Sequence, residues 1–304
     1  MDGVVVNGIN MYCAAEQMRI YICGFNWNYQ RQIVEMDQRS VYYLQQLYEA
    51  GISDSEYWIG TGIEFNDLSL LIEKLSRALS EADRIYIYDM LNCNISFFLK
   101  EVFDVLFKKS GLELQHWFWK ENCNALKKRY PNILEQLEIT DSNSGELFVR
   151  PYGLRGKVFY RKNEQREYDL YSTYNPADVG VQMAQTINFE KYERIYIWGI
   201  DEWYKWAGHV FGQIHKSIEI SIYVTSLSEF RRFLFNMPAA GFLVHPEVDW
   251  KINCEVKEFI SNYSVEKNKN SYIYVSECLE DELKMLCEFI KENLLDSNIY
   301  ESVK

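Results

Sequence analysis

Two hydrophobic periods alternate along this chain of 304 residues. The tetrapeptide Arg-Ile-Tyr-Ile occurs at 19–22, 84–87 and 194–197, each time alternating isoleucine with a polar or aromatic residue. β-Branched and aromatic side chains suit a pleated, half-buried surface, so this alternation predicts strands at 19–24, 83–90 and 193–200. Their uneven spacing excludes a solenoid built on one repeat. A helix is expected near 28–36, and 41–49 reads either as a strand entering a turn or as a short helix. The stretch EYWIGTG (56–62) reads as a strand ending in a turn. Asn66 or Asp67 offers an N-cap for a helix through Leu79. From 95 the period changes to 3.6: Phe97, Leu99, Val102, Phe103, Leu106 and Phe107 fall near one face, and Lys108, Lys109 and Gly111 supply stop signals.

The middle of the chain has a different texture. Residues 117–140 predict two short helices around Pro131, and DSNSGE (141–146) is the clearest loop. Residues 146–172 predict short antiparallel strands with turns at Gly153 and Asn163. Alternation of strand and helix then resumes. Helices are expected at 176–188, 203–216, 226–236, 255–263 and 279–294, and strands at 193–200, 218–226, 239–247 and 271–276. Such β-α alternation predicts a parallel sheet with helices on its faces. The expected fold is therefore α/β: two Rossmann-like parallel-sheet modules joined by a helical and antiparallel linker region. The boundaries place an N-terminal module at 1–115, a helical linker at 116–145 and a second module at 146–304.

Composition narrows the class. Hydrophobic residues make up 48% of the chain, enough to fill real cores. Only 5 Pro and 15 Gly are present, which suits helices alternating with strands rather than a loop-rich fold. The net charge of -12 argues against nucleic-acid or anionic-membrane binding, which needs clustered cations. The densest basic run, Lys127, Lys128 and Arg129, reads as a solvated helix face. The 7 cysteines include no C-x-x-C pair, so neither a disulfide framework nor a zinc site is suggested. There is no signal-like segment and no long apolar run, and a cytoplasmic location is expected.

Candidate chemistry gathers at expected strand ends. Gly24, Asn26 and Asn28 follow the first strand, and the two amides can hydrogen-bond a sugar or a base. Asp89 ends the second. The third runs into RIYIWGIDEWYKW, where Gly199 stands at the turn and further glycines do not follow. Trp203, Trp206, Val210 and Phe211 have the spacing of a buried helix face, or of an aromatic platform for a sugar or a partner protein. His209 and His215 are six apart, not at the spacing of a helical metal pair, and His116 and His245 have no recognisable partner. No P-loop and no G-x-S-x-G is present. No cofactor or metal is called for.

The stretch FWKENCNALKKRYPNILEQL (118–137) resembles the Asn-x-x-Ala-Leu-Lys-Lys-Arg-x-Pro helix pair in the N-terminal region of the motility accessory factor (Maf) family. LYSTYNP (170–176) is similar to that family's Ser-Lys-Tyr-Asp-Pro segment, here Ser172, Thr173, Tyr174, Asn175 and Pro176. Residues 194–225 resemble its Rossmann-like core, and the likeness covers about 118–260. It implies a module linked to the addition of nonulosonic, sialic-acid-like sugars to flagellin, with a related MptE-like branch that makes a pterin pyrophosphate. The family's transferase domain would begin near where this chain stops, so transferase activity is not carried over.

Aligned on the family's Gly-x-Gly-x-Gly-Tyr loop, Gly199 and Tyr204 are kept, while Asp201 and Trp203 replace the second and third glycines. Thr225 stands where an acid would take a ribose hydroxyl. Asp201 repels phosphate and Trp203 fills its space, so nucleotide binding is not expected. The resemblance implies a non-catalytic or degenerate Maf-like accessory in surface-glycan or flagellin glycosylation. It would recognise a sugar or a partner protein through the strand ends at 24–28 and 199–204. The alternative is a small sugar-nucleotide or pterin-type transferase that uses Asp89 and Asp201 with a divalent metal.

Overall fold

The computed structural model describes residues 3–30, 38–140, 147–151, 157–162, 167–169, 192–200, 218–263, 271–275, 286 and 288. The chain divides into two units, Met1–Trp117 with Pro151–Lys157, and Phe118–Arg150 with Val158–Lys304. The described part of the first unit is helical up to residue 117. The second carries a parallel sheet.

In the first unit the helical period overrides strand propensity. Helix α1 (Gly3–Gln30) buries Met11, Ala14, Ala15, Met18, Ile22 and Phe25, one stripe at three- and four-residue steps. The strand expected at 19–24 is thus part of a helix, because Ile22 continues that stripe. Helix α2 (Arg39–Ser53) resolves the ambiguity at 41–49 and packs against α1. The strand expected at 56–62 is instead a short helix, α3 (Ser55–Trp58), followed by a turn in which Gly60 and Gly62 have φ of 74° and 83°. Helix α4 (Phe65–Ser80) starts two or three residues earlier than expected, after Glu64, with Asp67 in its first turn.

The strand expected at 83–90 is helix α5 (Arg84–Asp89). Asp83 caps it, its carboxylate accepting the Tyr86 N–H at 3.0 Å. A strand would place Ile85 and Ile87 on one face. Here Ile87 is buried while Ile85 is 70% exposed. A π-helical segment (Met90–Ile95) leads into α6 (Ser96–Arg129). Leu99, Val102, Phe103 and Leu106 of α6 are buried as expected, but Phe97 is exposed. The expected stop near Gly111 survives as a kink: Ser110 has non-helical φ and ψ of -128° and 23°. Its buried hydroxyl shares a 2.9 Å hydrogen bond with the Tyr57 hydroxyl.

In the second unit, the end of α6 and helix α7 (Pro131–Ile139) are the two helices expected around Pro131. Strands β1 (Leu147–Pro151), β2 (Lys157–Lys162) and β3 (Glu167–Asp169) form a three-stranded sheet in that order, and β2 and β3 are antiparallel as expected. The loop at 141–146, the turns at Gly153 and Asn163, the helices at 176–188 and 203–216, and the 170–176 motif lie outside the described residues.

The parallel sheet comprises β4 (Arg194–Trp198), β5 (Glu219–Val224), β6 (Val248–Ile252) and β7 (Ser271–Val275), in the order β6-β5-β4-β7 with every pair parallel. In chain order this is 3-2-1-4, the order of the first four strands of a doubly wound sheet. One face is apolar: Ile195, Ile197, Ile220, Ile222, Val248 and Trp250 are buried on it. Trp250 meets Phe230 and Phe233 of α8 (Leu227–Asn236), at ring-centroid distances of 5.4 and 6.3 Å. The residues expected to form a strand at 239–247 instead form a short helix, α9 (Ala240–Leu243), and a turn. The strand follows them as β6, whose alternating Val248, Trp250 and Ile252 carry the period-two signal. On the other face Trp198, Tyr223 and Ile273 pack against Val256 and Phe259 of α10 (Val256–Asn262) and against Leu286.

Candidate functional site

Open parallel sheets bind ligands outside the carboxyl ends of their strands, at the point where the strand order reverses. Here that point lies between β4 and β7. Gly199 follows β4 directly and adopts φ of 91°, a conformation that suits glycine. Its N–H donates to the Tyr223 carbonyl at 3.0 Å, which extends the pairing with β5 by one residue. Thr225 is the first residue after β5 and is half-buried. Gly199 and Thr225 therefore share one sheet edge. Asp201, Trp203 and Tyr204 lie outside the described residues.

The end of β5 is closed by its neighbours. Asn253, at φ of 58°, turns the chain after β6. The Val224 carbonyl then accepts from the N–H groups of Asn253 at 2.7 Å and Cys254 at 3.4 Å.

Gly24, Asn26, Asn28 and Asp89 are not at strand ends. The first three lie within α1, and Asp89 is the exposed last residue of α5. Asn26 is buried, and its amide exchanges two hydrogen bonds with the Asn92 amide, at 2.6 and 2.9 Å. That amide joins two helices. Strand propensity alone had placed these residues at a sheet edge.

The 118–137 stretch braces the sheet. Asn122 is fully buried; its Nδ2 donates to the carbonyls of Leu234 and Met237 at 2.6 and 2.7 Å, and its Oδ1 accepts the Ala239 N–H at 3.0 Å. Arg129 donates to the His245 carbonyl. The Tyr130 hydroxyl accepts the Trp250 N–H of the edge strand β6 at 3.1 Å and donates to Asp249 Oδ1 at 3.3 Å. Lys127 and Lys128 are exposed. His245 accepts the Glu247 N–H through Nδ1, a local turn contact.

No family model, curated protein or solved structure matches the chain. The site is therefore read from its own geometry.

A pocket of about 330 Å³ opens on the second sheet face, lined by Tyr196, Tyr223, Lys251, Cys254, Glu258, Phe259 and Tyr263. The register explains the grouping. Trp198, Tyr223 and Lys251 form one cross-strand row, and Tyr196 lies two residues before Trp198 on the same face. Helix α10 contributes Glu258 and Phe259 at its middle, with Tyr263 just past its end.

Tyr196 stands edge-on to Phe259 and to Tyr263, with centroids 5.6 and 5.9 Å away. Tyr223 is edge-on to Phe259 at 5.0 Å and stacks on the buried Trp198 at 4.6 Å. Burial pushes the hydroxyls of Tyr196, Tyr223 and Tyr263 above the usual tyrosine range. Arg194 opposes the shift at Tyr196, and the hydrogen bond to Ser271 opposes it at Tyr263. Burial also raises the Cys254 thiol, with Glu258 and Glu255 adding and Lys251 opposing. All four groups are neutral at pH 7. This pocket is not legible in the sequence, because its residues come from three strands and a crossover helix. The one available signal was the tyrosine alternation within β4 and β5.

Among the described residues, no group of three or more His, Cys, Asp and Glu is placed to hold a metal ion, and no helix is long and apolar enough to cross a membrane.

Proposed function

We propose that this chain is a non-catalytic recognition protein built on a Rossmann-like sheet that has given up nucleotide binding. In this reading it serves as a Maf-like accessory in surface-glycan or flagellin glycosylation. The observation that carries it is the sheet edge itself. The strand order is 3-2-1-4 and Gly199 turns the chain after the first strand, yet Thr225 stands where a ribose-binding acid belongs. The sequence adds Asp201 and Trp203 in place of two phosphate-loop glycines. The resemblance over 118–260 supplies the biological setting. The transferase alternative needs Asp89 and Asp201 to meet at a divalent metal; Asp89 ends helix α5, and Asp201 lies outside the described residues.

The test is genetic and chemical. Deleting the gene in its host is expected to lower or abolish glycan mass on flagellin or on another surface protein, read by intact-protein mass spectrometry. The wild-type protein is expected to show no thermal shift with NAD or with nucleotide sugars and Mg²⁺. An unchanged glycan profile on deletion would refute the accessory role. A shift with any of these nucleotides would return the nucleotide loop to the account.

A further inference from the structure

We infer that the pocket between Tyr196, Tyr223, Phe259 and Tyr263 is a binding site for a small organic cation, of the quaternary ammonium or alkylamine class. This inference is independent of the proposed function, since it concerns the opposite sheet face and not the strand ends.

Shape is the first argument. The pocket, about 330 Å³, is at the small end of the range for small-molecule sites. Its aromatic walls are steeply inclined: 67° between Tyr196 and Phe259, 70° between Tyr196 and Tyr263, and 72° between Tyr223 and Phe259. A flat ligand that stacks on one of these rings meets the edges of the others. A compact, rounded cation can address several ring faces at once, and each face attracts it through the ring quadrupole.

Charge is the second argument. Lys251 is the cation among the described lining residues, and its ammonium is paired with Asp249 at 2.7 Å. At the start of the neighbouring strands Arg194 is paired with Glu219 at 2.8 Å. Those charges cancel locally. Glu258 lines the pocket and has no ion-pair partner among the described residues, and Glu255 stands one turn before it on the approach to α10. Both carboxylates raise the nearby Cys254 thiol, so their negative field reaches the pocket. Burial keeps the tyrosines and the thiol neutral, so the field in the pocket comes from its carboxylates and its paired cations. A free carboxylate over inclined aromatic walls selects for a cation and against an anion.

The probes are choline, tetramethylammonium, 3,3-dimethyl-1-butanol (a neutral isostere of choline) and glucose, each titrated to 50 mM at constant ionic strength. Binding is read by isothermal calorimetry and by thermal shift. Choline and tetramethylammonium are expected to bind and to raise the melting temperature, and the isostere and glucose to do neither. Glu258→Gln, an exposed change that the fold tolerates, is expected to weaken choline roughly two- to fivefold. Tyr196→Leu, checked for folding by circular dichroism, is expected to weaken it roughly three- to tenfold. Tyr196→Phe keeps the ring face and is expected to bind as wild type does.

Equal binding of choline and its isostere would overturn the inference. So would binding of glucose alone, or choline binding unchanged in a folded Glu258→Gln/Tyr196→Leu double variant. Absence of binding by either cation would also overturn it.

Discussion

Asn122→Ala tests how the second unit holds its sheet. Helix α8 ends just before Pro238. Proline has no N–H, so the Leu234 carbonyl has no donor four residues on. Asn122 replaces it, donating at 2.6 Å, and reaches Met237 O at 2.7 Å with the same nitrogen. Its oxygen accepts the Ala239 N–H at 3.0 Å. Alanine leaves the Leu234 carbonyl buried without a partner, which costs about 1–3 kcal/mol. The Met237 carbonyl and the Ala239 N–H still have each other, at 3.0 Å, so their losses are nearer the ordinary ~0.5–1.5 kcal/mol each. The sum is about 2–6 kcal/mol.

The assay is urea unfolding, with exposed Asn124→Ala as the control, expected to change stability by less than about 0.5 kcal/mol. Asn122→Asp should be worse than alanine at pH 7, because a buried carboxylate would face two carbonyl oxygens. Its folded pKa would be raised, so the deficit grows as pH rises above the unfolded value of ~3.9. A loss below about 1 kcal/mol for Asn122→Ala would refute the reasoning.

Two further predictions concern packing and ionisation. A Cβ on Gly51 would lie 2.0 Å from Phe65 Cε1, so Gly51→Ala should destabilise by about 1–3 kcal/mol, while Gly111→Ala meets nothing within 4 Å and should be neutral or stabilising by up to ~1 kcal/mol; paired urea titrations check both. Burial, reinforced by Glu138 and opposed by Arg231, pushes the Cys123 thiol from 9.0 to about 11. Iodoacetamide at pH 8, followed by peptide mass spectrometry, should therefore modify exposed Cys93 well before Cys123. Because the folded value is the higher one, the stability this thiol contributes is full below pH ~9 and is lost as pH rises toward ~11. Urea midpoints from pH 8 to 10.5 should fall less steeply in Cys123→Ala than in wild type.

The three copies of Arg-Ile-Tyr-Ile show how much of this fold was legible. At 194–197 the copy is a strand, with Ile195 and Ile197 buried on one face of a sheet. At 19–22 the same residues continue a helical stripe set by Met11, Ala14, Ala15 and Met18, and at 84–87 a capping Asp83 starts a helix. Strand propensity reports fit to a half-buried surface, so identical tetrapeptides follow whatever surface their neighbours build. The helices between 95 and 140, the 218–226 and 271–276 strands and the 226–236 helix were readable because their periods run unbroken. Strand β6 was displaced in the sequence reading because the apolar run at 239–247 lacks alternation, and Pro238 ends one helix just before a short one begins. The tyrosine pocket required the register itself, which places Lys251 beside Tyr223.

The central claim is that a sheet with dinucleotide-binding strand order no longer takes a nucleotide. Isothermal calorimetry of the full chain with NAD, S-adenosylmethionine, UDP- and CMP-sugars, each with Mg²⁺, tests it directly. The account predicts no heat of binding at ligand concentrations up to the millimolar range. Binding at micromolar concentrations that is lost in Asp201→Ala would contradict it.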